Sequence, residues 1–427
     1  MGPRRFPTAV GPTLVSMSDI SGGAARATYR LHAALRARDV ESTLIVRRRL
    51  TNDPSVRQYP EHGARWIRAV TTRASGLANQ LQRTTNPVTH SSNPHPTRMN
   101  RRLRGGVANL HWVGSGMMSI EDLGCIPVPV VLTLHDMWAF CGAEHYAPDG
   151  PDARWADGYT RDNRPVGHGG LDIDRLTWNR KLRSWRPMPV VTPSRWLADC
   201  VRRSALMADW PVRVIPNPLD LDVFRPLPQY EARQVVDLPA DVPVVLFGAL
   251  GGDRDPRKGY DLLLSALHRL HPPEHTVAIV FGQDAPLTPP DVGIPLRWMG
   301  RINDESVLAA LYSAADVMVV PSRQENLPQT ATEAQACGLP VVAFDTSGLP
   351  DAVAHGETGY LARPFDPASL AAGIEWILED AGRRRRLGVA AHERAKRLWG
   401  WDVVVPQYLE MYEEAARGNP TTAPRGS

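Results

Sequence analysis

No run of eighteen apolar residues occurs in the 427-residue chain, so no stretch has the length and character of a membrane-spanning helix. The opening residues, MGPRRFPTAVGPTLVSMS, lack the apolar core of a secretory leader, and Phe6 stands where a myristoylation signal needs Ser or Thr. A cytoplasmic protein is therefore expected. Cysteine is scarce: Cys125, Cys141, Cys200 and Cys337 show no paired spacing, which suits a reducing compartment. His135, Cys141 and His145 are close in sequence, but without a CxxC or HxxxH pattern they are not assigned to a metal. Lysine is scarcer still, with Lys181, Lys258 and Lys396 the only three, so arginine carries nearly all the positive charge.

What is present reads as a globular protein too long for one ordinary domain. The hydrophobic content is 43%, and two domains are the natural expectation. Charge divides them. Residues 1–216 hold 30 Lys and Arg against 17 Asp and Glu, a net +13, whereas residues 217–427 hold 19 against 28, a net −9. The linker between them is read at Val214–Asp220, where Pro216 and Pro218 stiffen the chain around Asn217.

Short apolar runs alternate with helical patterns through both halves. In the first, Thr13–Met17 leads through Asp19-Ile20-Ser21-Gly22-Gly23 into a helical stretch from Ala24 to Leu35; Ser42–Val46, Val107–Val113 and Val128–Leu134 read as further strands. Glycines at such a turn let a backbone approach a phosphate closely, though a plain tight turn uses them too. His135 ends the Val128–Leu134 strand, and His111 lies within LHWV and is read as structural. The aromatic stretch 143–187 offers flat faces for sugar rings or anchors for a long loop. In the second half, Val244–Phe247 and Val277–Phe281 are strands, and Arg257 and Lys258 stand before the helix that starts after Gly259. The run Arg383–Arg386 is read as a solvated helix face, Val403–Ala416 as a final helix, and the tail 418–427 as disordered.

The chain is organised around Asp316–Ala343. Val317–Val320 and Val341–Phe344 are apolar strands flanking a helix that Pro328 starts and Gly338 ends, a βαβ unit that needs a parallel sheet. Open parallel sheets bind ligands at the carboxyl ends of their strands. Glu325 sits in the loop at that end and Glu333 about one turn inside the helix, both suited to accept hydrogen bonds from sugar or ribose hydroxyls. The backbone N–H groups of Asn326, Leu327 and Gln329 are placed to face a diphosphate.

The string PSRQENLPQTATEAQACGLPVVA closely resembles the donor-binding signature of the retaining glycosyltransferases of family four. PRKG, WMGRI and TLHDMWAFCGAEHY resemble further segments of that family, the last as it stands in bacterial exopolysaccharide- and capsule-type members. The resemblance implies the α/β GT-B fold: two doubly wound Rossmann-like domains facing a cleft, with a C-terminal helix crossing back to the first. It implies an acceptor domain at 1–216, a nucleotide-sugar domain at 217–398, and a crossover helix and tail at 399–427. It places Glu325 and His135 on the transferred sugar and Lys258 on the diphosphate, where the residues' own positions at helix starts also put Arg257 and the amides of Asn326 and Leu327. It places Glu333 on the ribose, Arg301 near the base, and Gly22 and Gly23 beside phosphate and acceptor. One departure stands out. An arginine often found six residues before the lysine is Gly252 here, with Arg254 or Arg257 as candidate substitutes.

The expected activity is retaining transfer from a nucleotide sugar to a saccharide, lipid-linked or secondary-metabolite acceptor, with no cofactor and no nucleic-acid partner. The sequence is read as having no Asp-x-Asp metal motif, so metal independence is expected. The basic first half suits an anionic acceptor or peripheral contact with an anionic membrane. Two rivals remain. A GT-B protein that binds nucleotide sugar without transfer would be favoured by loss of Glu325, Glu333 or Lys258, all of which are present. An NAD-dependent oxidoreductase is disfavoured, because no G-x-G-x-x-G follows the first strand.

Overall fold

The structure, a computed structural model, describes residues 11–59, 81–83, 92–93, 99–103, 105–248 and 255–418. Gly252, Arg254, most of the polar stretch 51–104 and the tail beyond 418 lie outside the described residues. The chain forms two compact units, Met1–Ile215 with Val405–Ser427, and Pro216–Val404. The second division falls inside the final helix, Trp401–Arg417, against an expected boundary at 398.

Among the described residues the first unit carries nine strands: β1 (Thr13–Ser18), β2 (Thr43–Arg48), β3 (Val56–Gln58), β4 (Gln82–Arg83), β5 (Ala108–Leu110), β6 (Val130–Thr133), β7 (Gly169–Gly170), β8 (Val190–Thr192) and β9 (Val212–Val214). Seven form a parallel sheet in the order β3-β2-β1-β5-β6-β8-β9, while β4 and β7 pair antiparallel apart from it. In the second unit β10 (Val244–Gly248), β11 (Val277–Phe281), β12 (Leu296–Trp298), β13 (Val317–Val320), β14 (Val341–Phe344) and β15 (Gly359–Ala362) form a parallel sheet ordered β12-β11-β10-β13-β14-β15. Both sheets are doubly wound: from its first strand each grows one way, then returns and grows the other.

The composition of the strands explains why. Every residue of β10, β13 and β14 is buried, as a sheet covered by helices on both faces requires, and they read as unbroken apolar runs. Helices are started by side chains that satisfy exposed N–H groups. Asp366 caps Pro367–Leu378, Asp380 caps Ala381–Leu398 and Ser194 caps Arg195–Arg203.

The Arg383–Arg386 run is not simply a solvated face. Arg383 lies over the Trp376 ring at 4.4 Å and donates to the Trp376 carbonyl; Arg384 donates to the Leu378 carbonyl at 2.5 Å and reaches Asp316 at 3.5 Å. Together they satisfy carbonyls at the end of the preceding helix, leaving Arg385 and Arg386 exposed. The aromatics of 143–187 are loop anchors: Tyr146, Trp155, Tyr159, Trp178 and Trp185 are buried in the core of the first unit.

Candidate active site

In the second sheet the winding reverses between β10 and β13, and each sends its loop to the same edge. After β10, Asp255 caps a short turn, Pro256–Lys258, and Gly259 follows with φ 67°. A Cβ at Gly259 would sit 1.9 Å from the Pro321 carbonyl oxygen of the loop after β13, so only glycine permits this approach. The two loops are joined by a backbone bond from Arg323 N–H to the Arg257 carbonyl at 2.7 Å.

That contact brings Lys258 and Glu325 together. Lys258 Nζ lies 2.5 Å from Glu325 Oε1, and Arg257 Nη1 lies 3.8 Å from Oε2. Ser322 Oγ donates to Oε1 at 3.2 Å, and the Glu325 N–H donates to Ser347 Oγ at 2.9 Å. Glu325 is only 7% exposed. Burial pushes its carboxyl upward, but the Lys258 and Arg257 charges and the bonds from Lys258 and Ser322 outweigh it and hold the group below the usual range. The result is an ionised, buried carboxylate beside two cations, in a loop braced by Gly348, where a Cβ would meet the Asn326 carbonyl oxygen at 1.5 Å.

Asn326 and Leu327 are buried, and Pro328 leads into the helix Gln329–Ala336, whose first turn carries no side-chain cap and no acidic residue. Glu333 lies inside this helix, buried, with Tyr312 Oη donating to its Oε2 at 2.8 Å. It stands apart from the Lys258–Glu325 pair, with no bond between them among the described residues. Arg301 is exposed in the loop after β12, following Gly300, whose N-terminal neighbour Met299 donates to the Val280 carbonyl at 2.9 Å.

In the first unit the winding reverses between β1 and β5. Gly22, at φ 93°, precedes the helix Gly23–Arg36, which has no side-chain cap and no acidic residue in its first turn. Asp19 fixes this turn. Its carboxylate accepts from the N–H groups of Leu50 and Thr51 and from Thr51 Oγ1, and although burial opposes them these bonds hold it below its ordinary pKa. His135 follows β6, half-buried, with Nε2 2.9 Å from Nδ1 of buried His111; the rings stack at 5.2 Å. Burial drives His135 down to about 4, against the pull of Asp136, so the ring is neutral at neutral pH. Asp136 in turn pairs with His145 at 3.0 Å.

Sequence reasoning missed Asp19, Ser322, Ser347, Tyr312 and the role of His111 as partner to His135. Asp19 and Ser322 lie within the singled-out strings but were given no role there; Ser347 and Tyr312 arrive from other elements with no local signal. The reading of Asp-x-Asp also needs amendment, since three such triplets exist. Asp172 caps a helix and binds Arg154, Asp174 accepts from Gln82 and the Ala143 N–H, Asp220 accepts from the Asp222 N–H, and Asp255 caps the Pro256 turn; Asp253 lies outside the described residues.

Comparison with known proteins fits this geometry. The family described as Glycosyltransferase Family 4 matches residues 21–223, and that described as Glycosyl transferases group 1 matches residues 243–380. The D-inositol 3-phosphate glycosyltransferase of Segniliparus rotundus is 33% identical over 339 residues, covering 76% of this chain and 70% of that protein. The chain belongs to glycosyltransferase family four. Matches to other proteins of the same name are shorter. That of Thermobispora bispora is 36% identical over 232 residues, and such matches span about half the length of the relatives, 53% in this case. Among solved structures, sucrose-phosphate synthase from Thermosynechococcus elongatus superposes with a TM-score of 0.65 at 21% identity, covering 96% of this chain and all of that one. The Anabaena HepE protein in complex with UDP-glucose gives 0.63 at 17% identity, covering 94% of this chain and 99% of that one. These neighbours share the GT-B fold class with the family-four chain. Among the described residues no helix is long and apolar enough to cross a membrane.

Proposed function

We propose that the chain is a retaining glycosyltransferase that moves a sugar from a nucleoside-diphosphate sugar to a saccharide or lipid-linked acceptor, as in polysaccharide assembly. The observation that carries this reading is the pairing of half-buried Lys258 with buried Glu325, with Arg257 beside it, at the switch point of the second sheet. Charge develops on a departing diphosphate, and fixed cations in a poorly hydrated site stabilise it. Lys258 and Arg257 supply that charge, the amides of Asn326 and Leu327 add donors, and Glu325 accepts from the hydroxyls of the transferred sugar. Donor binding then gives Lys258 a phosphate to share with Glu325, coupling diphosphate and sugar recognition through one contact. Glu333 takes the ribose, Arg301 lies by the base, Gly22 and Gly23 adjoin phosphate and acceptor, and His135 orients the donor sugar. Transfer is metal-independent, since the cations of the protein do this work, and activity persists in chelator. The site of action is cytoplasmic, at or near an anionic membrane face.

The relatives named for D-inositol 3-phosphate support a second acceptor reading, a small phosphorylated polyol, which also suits the +13 first half. A thermal-shift screen over uridine, guanosine, adenosine and thymidine diphosphate sugars identifies the donor, because a ligand that binds the folded state raises Tm. Transfer assays with that donor then compare lipid-linked saccharide with inositol phosphate. Glu325→Ala is expected to lose nearly all transfer and keep nucleotide affinity; near-normal turnover by the folded variant would sink the assignment.

A further inference from the structure

We propose that His111 is a positioning residue that holds His135 as a neutral imidazole with its proton on Nδ1. The inference rests on the reading that His135 meets the donor sugar, but its physical core does not depend on it.

His111 sits where β5 ends, its backbone N–H tied to the Val15 carbonyl of β1 at 3.0 Å. The ring therefore has little freedom, and it is 6% exposed. Its Nδ1 lies 2.9 Å from His135 Nε2, with the two rings stacked at 21°. A contact between two neutral ring nitrogens holds one proton, so one nitrogen donates and the other presents its lone pair. Two arrangements satisfy this. In one, His135 donates from Nε2, and the proton of His111 must then sit on its own Nε2. In the other, His111 donates from Nδ1, and the proton of His135 sits on Nδ1.

The far side of His111 decides between them. His111 Nε2 is buried and has no hydrogen-bond partner among the described residues. A buried N–H without an acceptor is rarer and more costly than an unused lone pair. His111 therefore keeps its proton on Nδ1 and donates to His135, leaving a bare lone pair at Nε2. His135 is left with its proton on Nδ1. Burial keeps both rings neutral: it drives His111 well below the ordinary value, and the neighbouring imidazole pushes the same way. His135 Nδ1 bonds no group among the described residues, and His135 is half-buried, so this N–H is available to a ligand oxygen. Tyr146 Oη, donating to the His135 carbonyl at 3.4 Å, adds a restraint on the backbone. The tautomer of a working histidine is set by the bond its other nitrogen makes, and here that bond comes from a second histidine.

The test is nitrogen-15 imidazole NMR on the full chain at neutral pH, with His135→Asn used to assign the His135 resonances. Wild type is expected to carry the His135 proton on Nδ1. His111→Leu, which removes the donor, is expected to move it to Nε2 or into exchange between the two nitrogens. His111→Asn, whose amide can still donate, is expected to keep it on Nδ1. In transfer assays His111→Leu should lower kcat about 10- to 100-fold, the scale seen when a metal-bound imidazole loses the partner that orients it. Donor KM should change little, and His111→Asn should regain much of the rate. A wild-type proton on Nε2, a tautomer unchanged in His111→Leu, or an unchanged kcat in that variant overturns the proposal. If His111→Leu does not fold, wild type and His111→Asn still decide the tautomer. If wild type turns over no nucleotide sugar, it is the functional reading that fails, and the spectra still answer the tautomer question.

Discussion

Glu325 is a carboxylate that burial alone would neutralise, and its ionisation depends on neighbours brought by another loop. Its pKa is lowered in the folded chain because Lys258 and Arg257 outweigh burial. A group so depressed stabilises the fold fully above its unfolded value, about 4.3, and loses that contribution as pH falls through the lower folded value. Lys258→Met removes the nearest charge and leaves Arg257 at 3.8 Å. Burial then dominates and lifts the folded value above the unfolded one, so the variant should lose stability near neutral pH, and Glu325 should no longer contribute to the loss of stability in acid. Thermal melts from acid to neutral pH check this, and a pH dependence parallel to wild type would show that Lys258 does not hold the carboxylate. Glu333 tests a different role. Its substitution by alanine should weaken nucleotide affinity by about 1–3 kcal/mol, the scale of a lost charged hydrogen bond. Calorimetric titration measures it; unchanged affinity would take Glu333 out of the site.

At the scale of elements, the helix Ile173–Ser184 holds the segment that follows His135. Lys181, fully buried, donates to the carbonyls of Trp138, Cys141 and Gly142, and lies 4.1 Å over the Trp138 ring. Asp174 of the same helix accepts from the Ala143 N–H and from Gln82. Burial lowers Lys181 to about 7 against the pull of nearby acids. Lys181→Met should destabilise the first unit by about 1–3 kcal/mol, since it leaves buried carbonyls without their donor. Denaturant unfolding reads this directly. A change within experimental error would mean that the aromatic packing around the segment holds it alone.

For the whole molecule, the consequential feature is the opposed charge of the two halves. Several arginines of the first half are already paired: Arg154 with Asp172, Arg180 with Glu121, and Arg213 with Glu414. The net +13 shows that others remain uncompensated. Each basic residue near an anionic surface contributes about 1 kcal/mol. Co-sedimentation with anionic vesicles is therefore expected at low salt, with neutral vesicles left unbound. It should weaken at high salt, because the Debye length falls from about 10 Å at 0.1 M to about 3 Å at 1 M. Absence of binding at low salt would turn the reading toward a soluble acceptor.

The sequence by itself determined the elements that local pattern and covalent geometry control. Val317–Val320 and Val341–Phe344 were readable to the residue, because a strand buried on both faces must be an unbroken apolar run. Pro328 and Gly338 marked the helix between them for equally local reasons. The donor-binding string and PRKG also placed Glu325 and Lys258 in the same site by resemblance. Tertiary structure decided how they meet. Their 2.5 Å contact follows from β10 and β13 being neighbours in the sheet and from the approach of Gly259 to Pro321, neither of which leaves a periodic trace in the chain. The same holds for His111. In sequence it is a histidine at the end of an apolar run, the usual mark of a structural residue. Only the pairing of β5 with β6 brings its Nδ1 to His135, because a hydrogen bond depends on distance in space, which sequence separation does not fix.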